Sequence, residues 1–308
     1  MNFKHYRLPL KTIDFTDETF CLSFPCRSLD LVNSIDLVGI IHPPVVRKNR
    51  KKYQIVCGRG RLVAAQRLGL QRVMCKVLPA WVDDLSCLMI AFEENITTRG
   101  FNIIEQALVI EKFLHYLSEE KVIEDILPRL GYSPAYKNLE FLLKLNFLED
   151  ELKTLVCEEI IQPQLAIRLL DLEEMDRQAL ARLLVTLRPG ANRQRQILEI
   201  LQDLSRKEER PVYQILTEPA IEEILSQEKL NPPQKTEKLY SYLRKRLFPR
   251  LVAQEEAFRK WAGKLSGAGI RVIPSQAFEK DSYFLQIEFT DSQDLYQKWQ
   301  KLGEKIKN

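Results

Sequence analysis

The residues best placed to do chemistry in this 308-residue chain lie at a bend. Tyr53-Gln54-Ile55-Val56-Cys57 is β-prone, Gly58-Arg59-Gly60-Arg61 follows, and Leu62 to Leu68 has helical composition with Gly69 to close it. Glycine lets a backbone approach a ligand closely. A helix start offers unpaired N–H groups and partial positive charge. Arginines beside it can make paired hydrogen bonds to phosphate oxygens. Strand, bend and helix together describe an anion cradle, and the same residues would also suit a tight turn with solvated arginines. Local charge bears on the choice, since no acidic residue occurs from Ile41 to Lys76 and ten residues there are basic. A second basic run holds Lys235, Lys238, Arg244, Lys245, Arg246 and Arg250. Such excesses attract the phosphates of a nucleotide or of a nucleic-acid backbone, or else form solvated faces.

Other chemistries find less support. The six cysteines (21, 26, 57, 75, 87 and 157) form no CxxC pair and read as buried free thiols. The three histidines, 5, 42 and 115, have no metal-ligand spacing, so no metal site is expected. No stretch approaches eighteen uninterrupted apolar residues, which argues against a membrane span. The first residues lack the layout of a signal peptide, and a cytoplasmic location is expected.

The elements that must hold the bend come next. Tyr6, Leu8 and Leu10 alternate, and Thr19 to Phe24 is another β-prone run. Leu29 to Ile35 begins a helix that should end near Gly39. Strands are expected at 45–47, 53–57 and 72–78, making a small α/β domain that ends near residue 95. From Asn102, Ala107, Ile110, Phe113, Leu114 and Leu117 recur at helical spacing, and helices follow at about 120–130, 134–146, 149–158, 163–171 and 176–187. Ser133 could cap the helix whose first turn contains Pro134, which makes a helix-turn-helix arrangement. Asn231-Pro232-Pro233-Gln234 marks a boundary. A charged helix is expected from Thr236 to the Phe248-Pro249 break, resuming to about Leu265. Strands at 270–273 and 283–289 and a helix carrying Leu295, Trp299 and Leu302 close the chain. That last unit is too small to bury its apolar face alone, and pairing as a C2 dimer through residues 255–303 is the natural solution.

The order of these segments resembles the ParB/sulfiredoxin superfamily, and within it the ParB-type partition proteins. The resemblance rests on Leu31-Val32-Asn33-Ser34-Ile35, Gly39, Pro43, Val45-Val46-Arg47, Tyr53-Gln54-Ile55-Val56, Gly58, Arg61, Ala64-Ala65, Leu68-Gly69 and Val77. Glu94-Asn95 is similar to the family's Glu-Asn-x-x-Arg element, and Asn102 with Glu105-Gln106-Ala107 to the stretch after it. The likeness covers residues 5–175 well and 255–303 loosely. It implies an α+β chain of three domains: a small α/β domain of the ParB/sulfiredoxin type at 1–100, an all-α domain with a helix-turn-helix at 101–230, and a helix plus strand-strand-helix dimerisation domain at 235–308.

What the resemblance implies about function is specific. CTP, with Mg2+, would be held by Gly58, Arg59, Gly60, Arg61, Glu94, Asn95 and Arg99. DNA would be read by Tyr132, Ser133, Tyr136, Lys137 and Asn138, with Arg244 and Lys245 as a further contact read from the basic run. The chain would act as a nucleoid-associated homodimer in partition or gene regulation. Met1 to Leu10 does not look like the family's leucine-, glycine- and lysine-rich peptide for a ParA-type ATPase, so that partner is not indicated. The sequence also departs from the pattern. Arg59 stands where the family has the glutamate implicated in CTP hydrolysis, Gly60 and Val63 replace arginines, and Thr98 occupies an arginine position with Arg99 one residue late. Catalysis is therefore not expected. Two other readings stay open: an enzyme on the same fold (nucleotide hydrolysis, phosphoryl transfer or nuclease action), and a noncatalytic dimeric scaffold. The segment from Lys121 to Asp150 carries one more acid than base, a poor balance for neutralising phosphates.

Overall fold

A computed structural model describes residues 4–24, 28–265, 267, 269–275 and 282–307. It divides into two compact units, Met1–Arg177 and Gln178–Asn308.

The first unit opens with a five-stranded mixed sheet. Its strands are β1 (Lys4–Pro9), β2 (Ile13–Asp14), β3 (Val45–Asn49), β4 (Lys52–Cys57) and β5 (Arg72–Leu78), in the spatial order β1-β5-β3-β4-β2. β5 runs antiparallel to β1 and parallel to β3; β4 runs antiparallel to β3 and parallel to β2. Alternation places Leu8, Ile13, Val46, Ile55, Val73 and Cys75 in one core with Leu62 and Ala65 of α2 (Arg59–Arg67). Leu62 has no exposed surface, and its burial contributes on the order of 2 kcal/mol. This packing holds the start of α2 against the end of β4, where the glycine–arginine bend lies. α1 (Ser28–Val38) packs beside α2.

Two segments around the sheet differ from the sequence reading. Thr19–Phe24 is not a strand: it crosses as irregular chain, anchored by Phe20 and Leu22, each 2% exposed. Asp84–Thr98 is a helix, α3, not anticipated from the sequence. Asp83 caps it by accepting from the Ser86 amide at 2.8 Å, and Cys87, Leu88, Ala91 and Phe92 form its buried stripe.

The helices that follow are α4 (Ile103–Leu114), a single turn α5 (Glu119–Lys121), α6 (Tyr136–Asn146), α7 (Asp150–Cys157), α8 (Pro163–Leu169) and α9 (Glu174–Leu187), in which the first unit ends. The helix expected over 120–130 is broken. Val122–Ile126 is a π-turn, with the Leu127 amide donating to the Val122 carbonyl at 3.0 Å, and Pro128–Leu130 is 3-10. Pro128 has no N–H to continue an α ladder, which accounts for the switch.

The second unit continues with α10 (Ala191–Glu208), α11 (Val212–Leu216), α12 (Pro219–Ser226), α13 (Pro232–Leu247) and α14 (Pro249–Leu265). α13 starts at Pro232 rather than Thr236: Asn231 and Gln234 form a reciprocal capping box, and proline suits a first turn. β6 (Ile270–Pro274) and β7 (Tyr283–Ile287) pair antiparallel, and α15 (Ser292–Lys307) follows. Leu265, Ile270 and Leu302 make a small core with Val272 and Ile287 against it. Phe284, Tyr296 and Trp299 remain 65%, 62% and 59% exposed.

Among the described residues no helix is long and apolar enough to cross a membrane, and no three His, Cys, Asp or Glu side chains are grouped to hold a metal ion. Cys57, Cys75 and Cys87 are buried free thiols, Cys21 and Cys157 are half-buried, and Cys26 lies outside the described residues.

Candidate functional site

Gly58 ends β4 in the left-handed region, with φ +84°, and serves as the N-cap of α2. A Cβ there would stand 3.0 Å from the Arg61 guanidinium, because Arg61 folds back over the bend. Its Nη1 donates to the His42 carbonyl at 2.6 Å and its Nη2 to Glu94 of α3. Asn95 is the next residue of α3; its Nδ2 donates to the Ala91 carbonyl at 2.7 Å and its Oδ1 accepts from Arg99 Nε at 3.0 Å. Arg99 also reaches Ser23 Oγ at 3.2 Å and Glu105 Oε2 at 2.7 Å. Glu105 is 3% exposed and accepts from the amides of Asn102 and Phe24 at 3.0 and 3.1 Å.

These groups line one cavity of about 960 Å3. Gly58, Arg59, Gly60, Arg61, Glu94, Asn95 and Arg99 all belong to its wall, so the bend and the distant Glu-Asn element meet in space. Cys57 lies at its floor, where burial and then the Glu94 carboxylate push the thiol up to about 12.

One expectation is corrected here. In sequence the bend arginines have no acidic neighbours, but folding supplies one for each, and a third acid for Arg99. Arg59 pairs with Glu18 at 3.0 Å, Arg61 with Glu94, and Arg99 with Glu105. Glu18 comes from the irregular segment 15–24, which also receives Arg59 Nη2 at the Phe15 carbonyl (2.6 Å) and Arg59 Nη1 at the Asp17 carbonyl (3.2 Å). Nothing local in the sequence pointed to Glu18, Ser23, the His42 carbonyl or Lys76 as cavity wall, since each lies at least fifteen positions from the bend. Glu105 was legible as a partner of Asn102, whose Asn-x-x-Glu spacing is a capping-box signature.

The expected DNA-reading residues are dispersed in environment. α6 begins at Tyr136 with Ala135 as its N-cap, so Ser133 does not cap it. Ser133 instead accepts from Asn138 Nδ2 on its carbonyl (2.9 Å) and Oγ (3.1 Å), which fixes the turn before the helix. Tyr132 donates its hydroxyl to Gln106 at 2.7 Å and is half-buried, whereas Tyr136 and Lys137 are exposed. In the second unit Lys245 is exposed, but Arg244 forms a two-bond pair with Glu255 at 2.5 and 2.6 Å. Arg246 is likewise taken up by Glu208 and Glu218. The basic run therefore presents less free charge than its sequence implies.

Residues 26–96 match the family model of the ParB N-terminal domain. The chain is 36% identical over 119 residues to the probable chromosome-partitioning protein ParB of Coxiella burnetii, covering 38% of this chain and 39% of that protein. It is 34% identical over 132 residues to the chromosome-partitioning protein ParB of Caulobacter vibrioides, covering 41% and 40%. It is 29% identical over 153 residues to the nucleoid occlusion protein of Halalkalibacterium halodurans, covering 48% and 50%. The alignments thus span 39–50% of the length of these curated relatives. Among solved structures, C-terminally truncated ParB from Caulobacter crescentus complexed with CTP-gamma-S is 26% identical, with 59% of this chain and 99% of that chain covered at a TM-score of 0.28. The same protein complexed to the centromeric parS site is 25% identical, with 57% and 89% covered at a TM-score of 0.33. The likeness is carried by the sequence matches and not by these superpositions.

Proposed function

We propose that this chain, whose residues 26–96 match the ParB N-terminal domain, is a dimeric, nucleotide-responsive DNA-binding protein of chromosome or plasmid partition. The observation that carries the proposal is the single cavity in which Gly58, Arg61, Glu94, Asn95 and Arg99 converge. A left-handed glycine at a helix start, with the Arg61 guanidinium folded over it, suits a phosphate chain. A cavity of about 960 Å3 lies within the usual range for small-molecule sites.

CTP is the nucleotide proposed. Arg61 and Arg99 would hold its phosphates, and the Glu94 carboxylate stands beside Arg61 where it could take the cation that travels with a triphosphate. With Arg59 at the position of the family's hydrolytic glutamate, the nucleotide acts as a ligand rather than as a substrate. DNA is met by the turn before α6 and by the exposed Tyr136 and Lys137, with Lys245 as a second, sequence-independent contact. The uncovered Phe284, Tyr296 and Trp299 form the self-pairing surface of the proposed third domain, 235–308, after a nucleotide domain at 1–100 and a helical domain at 101–230. The place of action is the nucleoid.

Titration calorimetry with CTP and Mg2+, beside a gel shift on parS-like DNA with and without CTP, tests this reading. Saturable heat and a nucleotide-dependent shift are expected. No heat with any nucleotide would end the pocket assignment, and no shift at low salt would end the DNA assignment. Mass measurement in solution checks the dimer, and a phosphate-release assay checks that CTP survives.

A further inference from the structure

Arg59 has the composition of a phosphate ligand, but its hydrogen bonds point elsewhere. Its guanidinium reaches the Phe15 carbonyl, the Asp17 carbonyl and the Glu18 carboxylate, and its side chain is only 20% exposed. Segment 15–24 is gripped from other elements too. Lys112 of α4 donates to the carbonyls of Glu18 and Thr19, both at 2.9 Å. Gln54 Nε2 donates to Asp17 Oδ2 at 2.7 Å, and Asn102 Nδ2 to the Phe24 carbonyl at 2.6 Å. Phe20 and Leu22 sink into the unit at 2% exposure. The same segment contributes Asp17 through Phe24, apart from Thr19, to the cavity wall.

We propose that Arg59 is a positioning residue rather than a phosphate ligand, and that with Lys112 it clamps segment 15–24 as a strap forming one wall of the cavity. The proposal rests on the nucleotide reading of that cavity. A planar fork of five donors can serve two carbonyls and a carboxylate from separate nitrogens, whereas a lysine has a single nitrogen to place among all three. Ligand fit then depends on the strap being in place. If the clamp's loss leaves the wall formed about one-fifth of the time, apparent affinity falls about fivefold, because affinity scales with the competent fraction. Arg61 differs in kind: its removal takes a charge-assisted contact and its salt dependence with it.

The test combines amide hydrogen exchange with CTP calorimetry at two salt concentrations on the full chain and on Arg59→Ala, Arg59→Lys, Lys112→Met and Arg61→Ala. Arg59→Ala and Lys112→Met should both speed exchange across 15–24 while β1 and α4 stay protected. Both should weaken CTP about fivefold with unchanged salt dependence. Arg59→Lys should not restore strap protection, and Arg61→Ala should weaken CTP and flatten the salt dependence while leaving strap exchange alone. Lys112 is not in the cavity wall and donates to two strap carbonyls, so its effect on affinity reads the strap without touching the ligand. Unchanged strap exchange in Arg59→Ala overturns the clamp. A loosened strap with unchanged affinity in Lys112→Met overturns the wall, and a flattened salt dependence in Arg59→Ala makes Arg59 a direct ligand. If the unaltered chain gives no heat with any nucleotide, the ligand reading and the strap's part in binding fail together, and the exchange data still decide the clamp.

Discussion

Gly58→Ala probes the bend at its tightest point. The residue sits at φ +84°, a conformation that costs an L-residue roughly 1–2 kcal/mol. A methyl there would also lie 3.0 Å from Cζ, Nε and Nη2 of Arg61, inside the ordinary separation of about 3.5–4 Å. The guanidinium has little freedom to retreat, because it is held by the His42 carbonyl at 2.6 Å and by Glu94. Moving it breaks those bonds and displaces the side chain proposed to hold a phosphate. A hydrogen bond to a charged group contributes about 1.5–3 kcal/mol, so CTP affinity should fall about tenfold to a hundredfold. Gly69→Ala is the control. Its φ is +71° with nothing within 4 Å of a new Cβ, so it should show the same backbone cost of about 1–2 kcal/mol and no loss of affinity. Urea unfolding measures the first quantity through the midpoint, and calorimetry with CTP the second. Wild-type affinity in Gly58→Ala, or an equal loss in Gly69→Ala, would refute the reasoning.

Further outcomes follow from other contacts. Glu105→Ala strips a buried acceptor from Arg99 and from the Asn102 and Phe24 amides, and should lower stability by about 2–3 kcal/mol; a thermal midpoint equal to wild type would contradict this. Tyr132→Phe loses the hydrogen bond to Gln106 and should cost about 1 kcal/mol of stability, read from the urea midpoint. Lys137→Ala should weaken DNA binding alike on all sequences and lower the salt slope by about one, so a sequence-selective loss in gel shifts would point to base contact instead. Cys57, pushed up to about 12 by burial and Glu94, should resist alkylation in the native state at pH 8 while half-buried Cys21 reacts, as mapped by peptide mass spectrometry. Glu218 is held below the usual carboxylate value of 4.5, chiefly by its hydrogen bond from Arg246, against an opposing contribution from burial and with Arg210 adding to the lowering. A depressed folded value gives stability that is present above the unfolded value and lost as pH falls through the folded one. Acid unfolding of the second unit should therefore set in below 4.5, and Glu218→Gln should flatten that limb; an unchanged acid limb would remove Glu218 from the account.

Much of this protein was readable from local pattern. The alternation of β1 and β5, the bend after β4, the positions of α6 to α9 and the final strand-strand-helix all follow from periodicities of two and 3.6, which a short stretch of chain expresses by itself. The order of those segments was enough to show the ParB resemblance and to mark Gly58, Arg61, Glu94, Asn95 and Arg99, which the cavity brings together. What local pattern could not supply was the partner of each charge. Arg59, Arg61 and Arg99 looked alike in sequence, yet one grips the strap through Phe15, Asp17 and Glu18, one bridges His42 and Glu94, and one is bonded to Glu105. Arg244 and Arg246 looked free and are paired. Periodicity is a property of neighbours along the chain, whereas a charge acts over a few ångströms of space. Only the folded backbone decides which distant carboxylate, carbonyl or cavity falls within that reach.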